Sequence, residues 1–495
     1  MAPSTTTEAS TPDYKISFTA FHNIINNEPS PTASTRAVPC PSTEEPLWDA
    51  PVSGPEDVDR AVSAAKKAFR SWSRLSFDER AGYLLKFGDA LEANRDEFAD
   101  LLAKEAGKPP PAAAGEVGLA IWGTRVTPHF RLKETTLIDN EEQTVKVRYV
   151  PMGVGVGLVP WNYPIAISVA KLLSALLAGN TFILKPSEYA PYSGLKLAEL
   201  GSKVFPPGVL QALSGEASLG PLFTAHPDVA KISFTGSVAT GKRVMAACAS
   251  TLKRVTLELG GNDAAIICDD VDIDSVAKNI TMASFTHSGQ VCMNVKRVYV
   301  HESIYDKFLA AMVEVTKSLK FGPHTEHDAF SGGIQNTMQY EKLQKTYAKI
   351  GQEGWKTAVG GEPPKGPKTG KGFYMPPTIV DNPPEDSDIV VSEPFGPIVP
   401  VLKWTSEEDV IERANATKMG LGGSVWSADE ARARRLAEQL EAGTIWVNTH
   451  AALAPNIPMG GHKESGMGVE WGELSVQGWC NPQTYNVQHL PRSKA

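Results

Sequence analysis

Apolar residues follow two rhythms along the chain, and the rhythm changes near Gly153. Before that point the spacing is helical. Pro55-Glu56-Asp57 opens a stretch in which Val58, Ala61, Val62, Ala65 and Phe69 recur on one helical face. Helical spacing returns over Leu84–Glu105. Beyond Gly153, short apolar runs alternate with helical segments. Gly155–Pro160, Thr181–Lys185, Leu210–Leu213, Lys231–Phe234 and Val255–Leu259 predict strands, with helices at Ile165–Leu177 and Tyr192–Val204 between them. Such alternation implies a parallel sheet covered on both faces. A second series follows: strands Ala264–Cys268, Arg297–Val300, Gly423–Trp426 and Thr444–Val447, with helices Ile304–Leu319 and Ala428–Leu440. The expectation is an α/β protein with two such units.

Two segments keep a different pattern. Glu142–Val150 alternates polar and apolar residues, as a half-exposed strand does, and the tail Gln483–Leu490 is similar. Residues 1 to about 14 read as disordered, and Pro/Ser/Thr-rich sequence continues irregularly to about Pro55.

At 495 residues the chain has room for two or more domains, each with its own core. A net charge of −8 argues against a nucleic-acid partner, which usually meets a basic face. Cys40, Cys248, Cys268, Cys292 and Cys480 are scattered and odd in number, as in a reducing compartment. The N-terminus lacks the apolar core of a signal peptide, and no apolar run is long enough to span a bilayer. The ending Ser493-Lys494-Ala495 differs by one residue from a peroxisomal Ser-Lys-Leu signal, but alanine substitutes poorly for leucine. A cytoplasmic enzyme without a membrane partner is expected.

The candidate chemistry begins with Cys292, in Gly289-Gln290-Val291-Cys292, and with Glu258, which ends the apolar run Val255-Thr256-Leu257 and precedes Leu259-Gly260-Gly261. Alone, the cysteine reads as a packed apolar thiol and the glutamate as a surface carboxylate. Together they offer a nucleophile and a base. A thiolate adding to an aldehyde carbon gives a thiohemiacetal, and loss of hydride from that carbon leaves a thioester. A free thiol near pKa 8.5 is mostly protonated at neutral pH, so a base is needed. Glu258 can take the proton from the thiol, or later from the water that hydrolyses the thioester.

Asn162, in Pro160-Trp161-Asn162-Tyr163-Pro164, reads either as a turn residue or, with the Cys292 backbone N–H, as an oxyanion donor. There is no G-x-G-x-x-G. Instead, a strand runs into Thr235-Gly236-Ser237-Val238-Ala239-Thr240-Gly241, where N–H groups at a helix start suit a pyrophosphate. Lys185-Pro186-Ser187-Glu188 closes another strand and suits an adenosine ribose. A carboxylate repels a 2′-phosphate, so Glu188 favours NAD over NADP.

With Glu393-Pro394-Phe395-Gly396-Pro397 added, these motifs agree in order and distance, and the chain from about Glu56 to Val487 resembles the aldehyde dehydrogenase superfamily. The resemblance implies a Rossmann-like parallel-sheet cofactor domain (1–128 and 152–261), a second α/β catalytic domain (262–473) and a small β oligomerisation arm (129–151 and 474–495). It implies Cys292, Glu258 and Asn162 as catalytic residues. It places the cofactor, NAD with NADP possible, on Pro160, Trp161, Lys185, Ser187, Glu188, Gly236, Ser237, Gly241 and Leu259, with Glu393 on the nicotinamide ribose and Phe395 against its ring. A homodimer or homotetramer is expected.

The positions matching the family's aldehyde tunnel, among them Ile167, Ala170, Val291, Met293 and the loop Ala451–Pro458, are apolar or small and include neither Arg nor Lys. An aliphatic or aromatic aldehyde of low polarity is expected. His287 and Met459 stand where asparagine and phenylalanine are usual, and Lys171 either tunes the site or forms a structural ion pair. Alternatives are a CoA-acylating enzyme, a catalytically silent relative, and ester hydrolysis as a side activity.

Overall fold

The first helix, Pro55–Trp72, begins where proline at its first turn costs no hydrogen bond. The Asp57 carboxylate accepts the Gly54 N–H at 2.9 Å, and Val58, Ala61, Val62, Ala65, Ala68 and Trp72 are buried. This computed structural model describes residues 13–362 and 371–490. The helical stretch expected over Leu84–Glu105 is two helices, Phe77–Ala93 and Arg95–Ala106. Asn94 divides them: its side chain bonds Ala90 O, Tyr14 O and Ile16 N, binding the N-terminal segment across the break. A further helix, Pro110–Val126, has an almost evenly apolar surface, so periodicity alone did not reveal it.

The N-terminal region is more ordered than its composition predicts. Residues 1–12 lie outside the described part, but Tyr14 packs against the core, and four short strands occur before Pro55. Asn23–Ile25 and Glu28–Ser30 extend the first sheet, while Thr35–Pro39 pairs with Pro46–Pro51 as a hairpin. Asn23–Ile25 also pairs with the distant Leu210–Ala212, and prolines occupy paired positions in the other three strands, which hides the alternation expected of a strand.

Five parallel strands form the centre of the first sheet, in the order Arg254–Glu258, Val229–Thr235, Val154–Leu158, Thr181–Lys185, Leu210–Ala212. The chain leaves Val154–Leu158 first to one side and later to the other. Such a reversal opens a crevice outside the strands' carboxyl ends. This is a Rossmann-like arrangement. At its edge the two-residue strand Gly466–Met467 pairs antiparallel with Leu257 and Glu258. Gly466 has φ +143° there, and a Cβ would lie 1.8 Å from Leu257 O, so this approach requires glycine.

The second sheet has seven strands in the order Thr357–Val359, Thr378–Asp381, Ile398–Trp404, Val295–His301, Asp263–Ile267, Gly422–Trp426, Thr444–Val447, parallel except at its first edge. Helices pack on both sheets. A third sheet joins Thr135–Asp139, Gln143–Pro151 and Cys480–Gln488 antiparallel, largely exposed to solvent. No helix among the described residues is long and apolar enough to cross a membrane.

Candidate active site

Glu258 ends a strand of the first sheet, and Cys292 stands just before a strand of the second. The two meet because the connecting chain crosses directly: a Cβ on Gly261 would lie 2.3 Å from the Cys292 carbonyl oxygen. Glu258 is close enough for its charge to oppose ionisation of the thiol. Burial pushes the Cys292 thiol up to about 12, against the pull of Lys296. Glu258 is also buried, neither of its carboxylate oxygens has a partner among the described residues, and burial holds its pKa well above the ordinary range. The nearby Glu470 adds to that shift and Lys171 opposes it. Lys171 donates to Ser233 Oγ at 2.8 Å and to Glu470 at 2.9 Å, so it sits in a buried ion pair just behind the carboxylate.

The nucleophile loop is shaped by contacts that sequence reading missed. Lys296 donates to the carbonyls of Val291 (2.9 Å) and Cys292 (2.6 Å) and lies 3.4 Å from the Glu393 carboxylate. The Glu393 carboxylate in turn accepts the Gly261 N–H at 3.2 Å. Gly289 adopts φ +71°, and a Cβ would come within 2.0 Å of Gly396 O, so the Cys292 loop lies flat on the Glu393–Pro397 loop. His450 bridges Ser424 Oγ and Met293 O, each at 2.9 Å, and burial lowers its pKa to about 4, so it is neutral.

Asn162 is buried, and its amide donates to Gln290 O at 3.0 Å, two residues before the nucleophile. The loop carrying it is pinned from below. Glu116 accepts N–H bonds from Ile165 (2.9 Å) and Ala166 (3.1 Å), the first free donors of the helix Pro164–Ala178, and pairs with Lys108. The Lys108 ammonium lies 3.5 Å from the Tyr163 ring centroid, and His287 meets the same ring edge-on. Burial keeps His287 far below its usual pKa, which makes it a neutral packing group.

A cavity of about 570 Å³ opens from Cys292. Of the expected tunnel positions, Ile167, Val291, Met293, Ala451 and Leu453 line it; Ala170 and the rest of the Ala451–Pro458 loop do not, and Ala166 faces it instead. Met282, Met459, Leu119, Trp426 and Trp471 add apolar surface, and no charged side chain among the described residues reaches its wall. Several polar groups there are already used: Asn294 donates to Ser284 O and Thr286 O, and Asn448 bonds both backbone groups of Ser427.

The candidate cofactor residues gather at the carboxyl ends of the first sheet. Gly236 and the exposed Ser237 follow the strand Val229–Thr235, and Ser237 caps the helix Val238–Ala249, accepting the Thr240 N–H. Leu259 packs tightly on Gly241, where a Cβ would lie 2.5 Å away. Pro160 and Trp161 follow the strand Val154–Leu158, and the Trp161 ring meets Phe395 edge-on at 5.4 Å. Phe395 holds φ +53°, fixed by Gln339 donating to the carbonyls of Pro394 and Phe395. The Ser187 hydroxyl accepts the Tyr189 N–H within its own turn. Lys185 is buried, with a single hydrogen bond to Pro186 O at 3.2 Å, and burial lowers its pKa to about 8. A buried ammonium with so few partners, on the same end of the sheet as the helix start at Ser237, fits a dinucleotide's ribose and pyrophosphate.

Residues 29–485 match the model of the aldehyde dehydrogenase family. The chain is 39% identical over 469 residues to the putative aldehyde dehydrogenase FUS7 of Gibberella fujikuroi, spanning 95% of this chain and 99% of that one. It is similar to the NAD+ complex of an aldehyde dehydrogenase from Bacillus cereus, with a TM-score of 0.92, 32% identity, and 94% and 96% of the two chains covered. An NADP-dependent enzyme of E. coli is similar as well, with a TM-score of 0.91, 30% identity, and 95% and 99% covered.

Proposed function

Because the chain belongs to the aldehyde dehydrogenase family, we propose that it oxidises a neutral aldehyde of low polarity to its carboxylic acid through a thioester on Cys292, hydrolysed by water that Glu258 activates. The observation that carries this reading is the pair itself: a thiol at the cavity wall, and beside it a buried carboxylate with no partner of its own. A structural carboxylate would be hydrogen-bonded.

As the Cys292 sulfur adds to the aldehyde carbon, its thiol proton passes to ionised Glu258, which releases it to solvent before the hydrolytic step, and the free N–H of the Asn162 amide, with the Cys292 backbone N–H, receives the developing oxyanion. Its other amide hydrogen is held by Gln290 O, which fixes the direction of the side chain. A bound nicotinamide dinucleotide supplies the hydride acceptor. Glu258 then takes a proton from the water that attacks the thioester, and its raised pKa makes it a stronger base once ionised. A water base supports hydrolysis over transfer to CoA. The uncharged cavity supports an apolar aliphatic or aromatic substrate, since a buried unpaired substrate carboxylate would be costly. The first sheet is assigned to the cofactor, the second to the thiol, and the exposed three-stranded sheet to self-association as a dimer or tetramer in the cytoplasm.

A nucleotide-reduction assay with hexanal, benzaldehyde and succinic semialdehyde, with and without CoA, tests the reading. The two apolar aldehydes are expected to exceed the charged one in kcat/KM by roughly tenfold or more. Cys292→Ser is expected to lower turnover by at least about 10³-fold with dinucleotide binding retained. Substantial oxidation by that variant, or a product formed only with CoA, would overturn the mechanism.

A further inference from the structure

The acidic residue at the ribose end of the cleft is not alone. Glu188 follows the strand Thr181–Lys185, which lies directly beside the first strand of the parallel sheet. In this topology an acidic side chain there bonds the ribose 2′-hydroxyl, and an arginine nearby accommodates a 2′-phosphate instead. Arg36 reaches the same place from the hairpin strand Thr35–Pro39. Its Nη2 donates to the Glu188 carbonyl at 2.8 Å, while its Nη1 stands 3.5 Å from the Glu188 carboxylate. The first contact anchors the guanidinium. The second is at the long limit of a hydrogen bond, so that face of the arginine can turn to a stronger acceptor.

From this geometry, and resting on the cofactor reading above, we infer that Arg36 is a specificity residue that lets the enzyme bind the 2′-phosphate of NADP and so use NADP as well as NAD. Lys185 and Arg36 are two cations set around the one carboxylate, and among the described residues Lys185 has only the Pro186 carbonyl as hydrogen-bond partner. A phosphate accepts two parallel N–H bonds from a guanidinium, a better match than the present distant contact. Glu216 also lines this cleft, but it is exposed, and solvent screens its charge. Glu188 therefore does not act as an unopposed barrier to a 2′-phosphate.

Titration calorimetry of the full chain with 2′,5′-ADP and with 5′-AMP reads the subsite without turnover. The wild type is expected to bind both. Arg36→Gln is expected to weaken 2′,5′-ADP by roughly tenfold to a hundredfold more than 5′-AMP, and to lower the NADP/NAD ratio of kcat/KM by a similar factor. Glu188→Gln is expected to raise that ratio, which keeps the test open if the arginine variant does not fold. Binding of 5′-AMP without 2′,5′-ADP, or equal weakening of both by Arg36→Gln, overturns the assignment of Arg36. If neither nucleotide binds, the cofactor reading fails and the inference with it. If both bind with the expected arginine dependence but no aldehyde is oxidised, the reaction reading fails and the assignment of Arg36 is upheld.

Discussion

Two glutamates near the nucleophile are equally hidden, each 3% exposed, yet they stand in opposite states. Glu116, beneath the Pro160–Pro164 loop, is saturated: one oxygen takes two helix N–H groups and the other takes Lys108. Glu258, at the end of a sheet strand, has neither oxygen bonded to any of the described residues. Burying a carboxylate without partners is expensive, and a fold tolerates it where the unmet capacity serves chemistry. The difference separates scaffold from reagent: Glu116 fixes where Asn162 sits, and Glu258 waits for a proton.

The largest effect that would break the contrast is expected from Glu258→Gln, which keeps shape and removes basicity. Steady-state kcat is expected to fall by about 10²–10⁴-fold. In the wild type, kcat should rise with pH above the ordinary carboxylate range, because Glu258 acts only when ionised and its pKa is raised. The variant should lose that rise. Stability should move the other way. The folded protein holds the Glu258 proton more tightly than the unfolded chain, so stability declines as pH climbs from the unfolded pKa toward the folded one. Glu258→Gln removes that decline, and thermal melts at alkaline pH are expected to show the variant at least as stable as wild type. A variant less stable at every pH would return Glu258 to the scaffold.

Glu116→Ala should do the reverse. It leaves Lys108 buried and unpaired and frees two helix donors, and loss of one partner of a buried pair costs about 3–5 kcal/mol. Denaturant unfolding at neutral pH measures this. An unchanged midpoint would show that the saturated carboxylate is not scaffolding.

The two glutamates also show what a sequence displays. Glu258 announces itself locally, as a charge closing an apolar run before two glycines, and Cys292 and Asn162 stand in similarly marked loops. Glu116 lies inside a helix whose contacts fall 49 and 50 positions away, and nothing in its neighbours signals them. Glu470 and Lys171 join across 299 positions, and Arg36 reaches Glu188 across 152. Groups that react sit in distinctive local sequence, whereas groups that hold them in place are chosen by tertiary contact. The parallel strands were legible because burial on both faces makes them continuously apolar. The N-terminal hairpin was not, because its composition is that of irregular chain and prolines stand at paired positions in both its strands. The break at Asn94 did carry a signal, a residue type that favours helix caps, but the helices on both sides bury the same core and their periodicity runs through it.

Asn162 falls between the two extremes and gives the finest test. One amide hydrogen is committed to Gln290 O, as a scaffold group's would be, and the other is free beside the cavity. Its replacement should therefore cost on both counts, each in reduced measure. Asn162→Ala is expected to lower kcat by about 10²–10³-fold, the usual loss of an oxyanion donor, with a smaller change in KM. Stability should fall by about 1 kcal/mol, the worth of one ordinary hydrogen bond. Rates and unfolding measured on the same preparation separate the two contributions. A large loss of stability with kcat nearly intact would make Asn162 a turn residue only, and the free N–H would then have no part in the reaction.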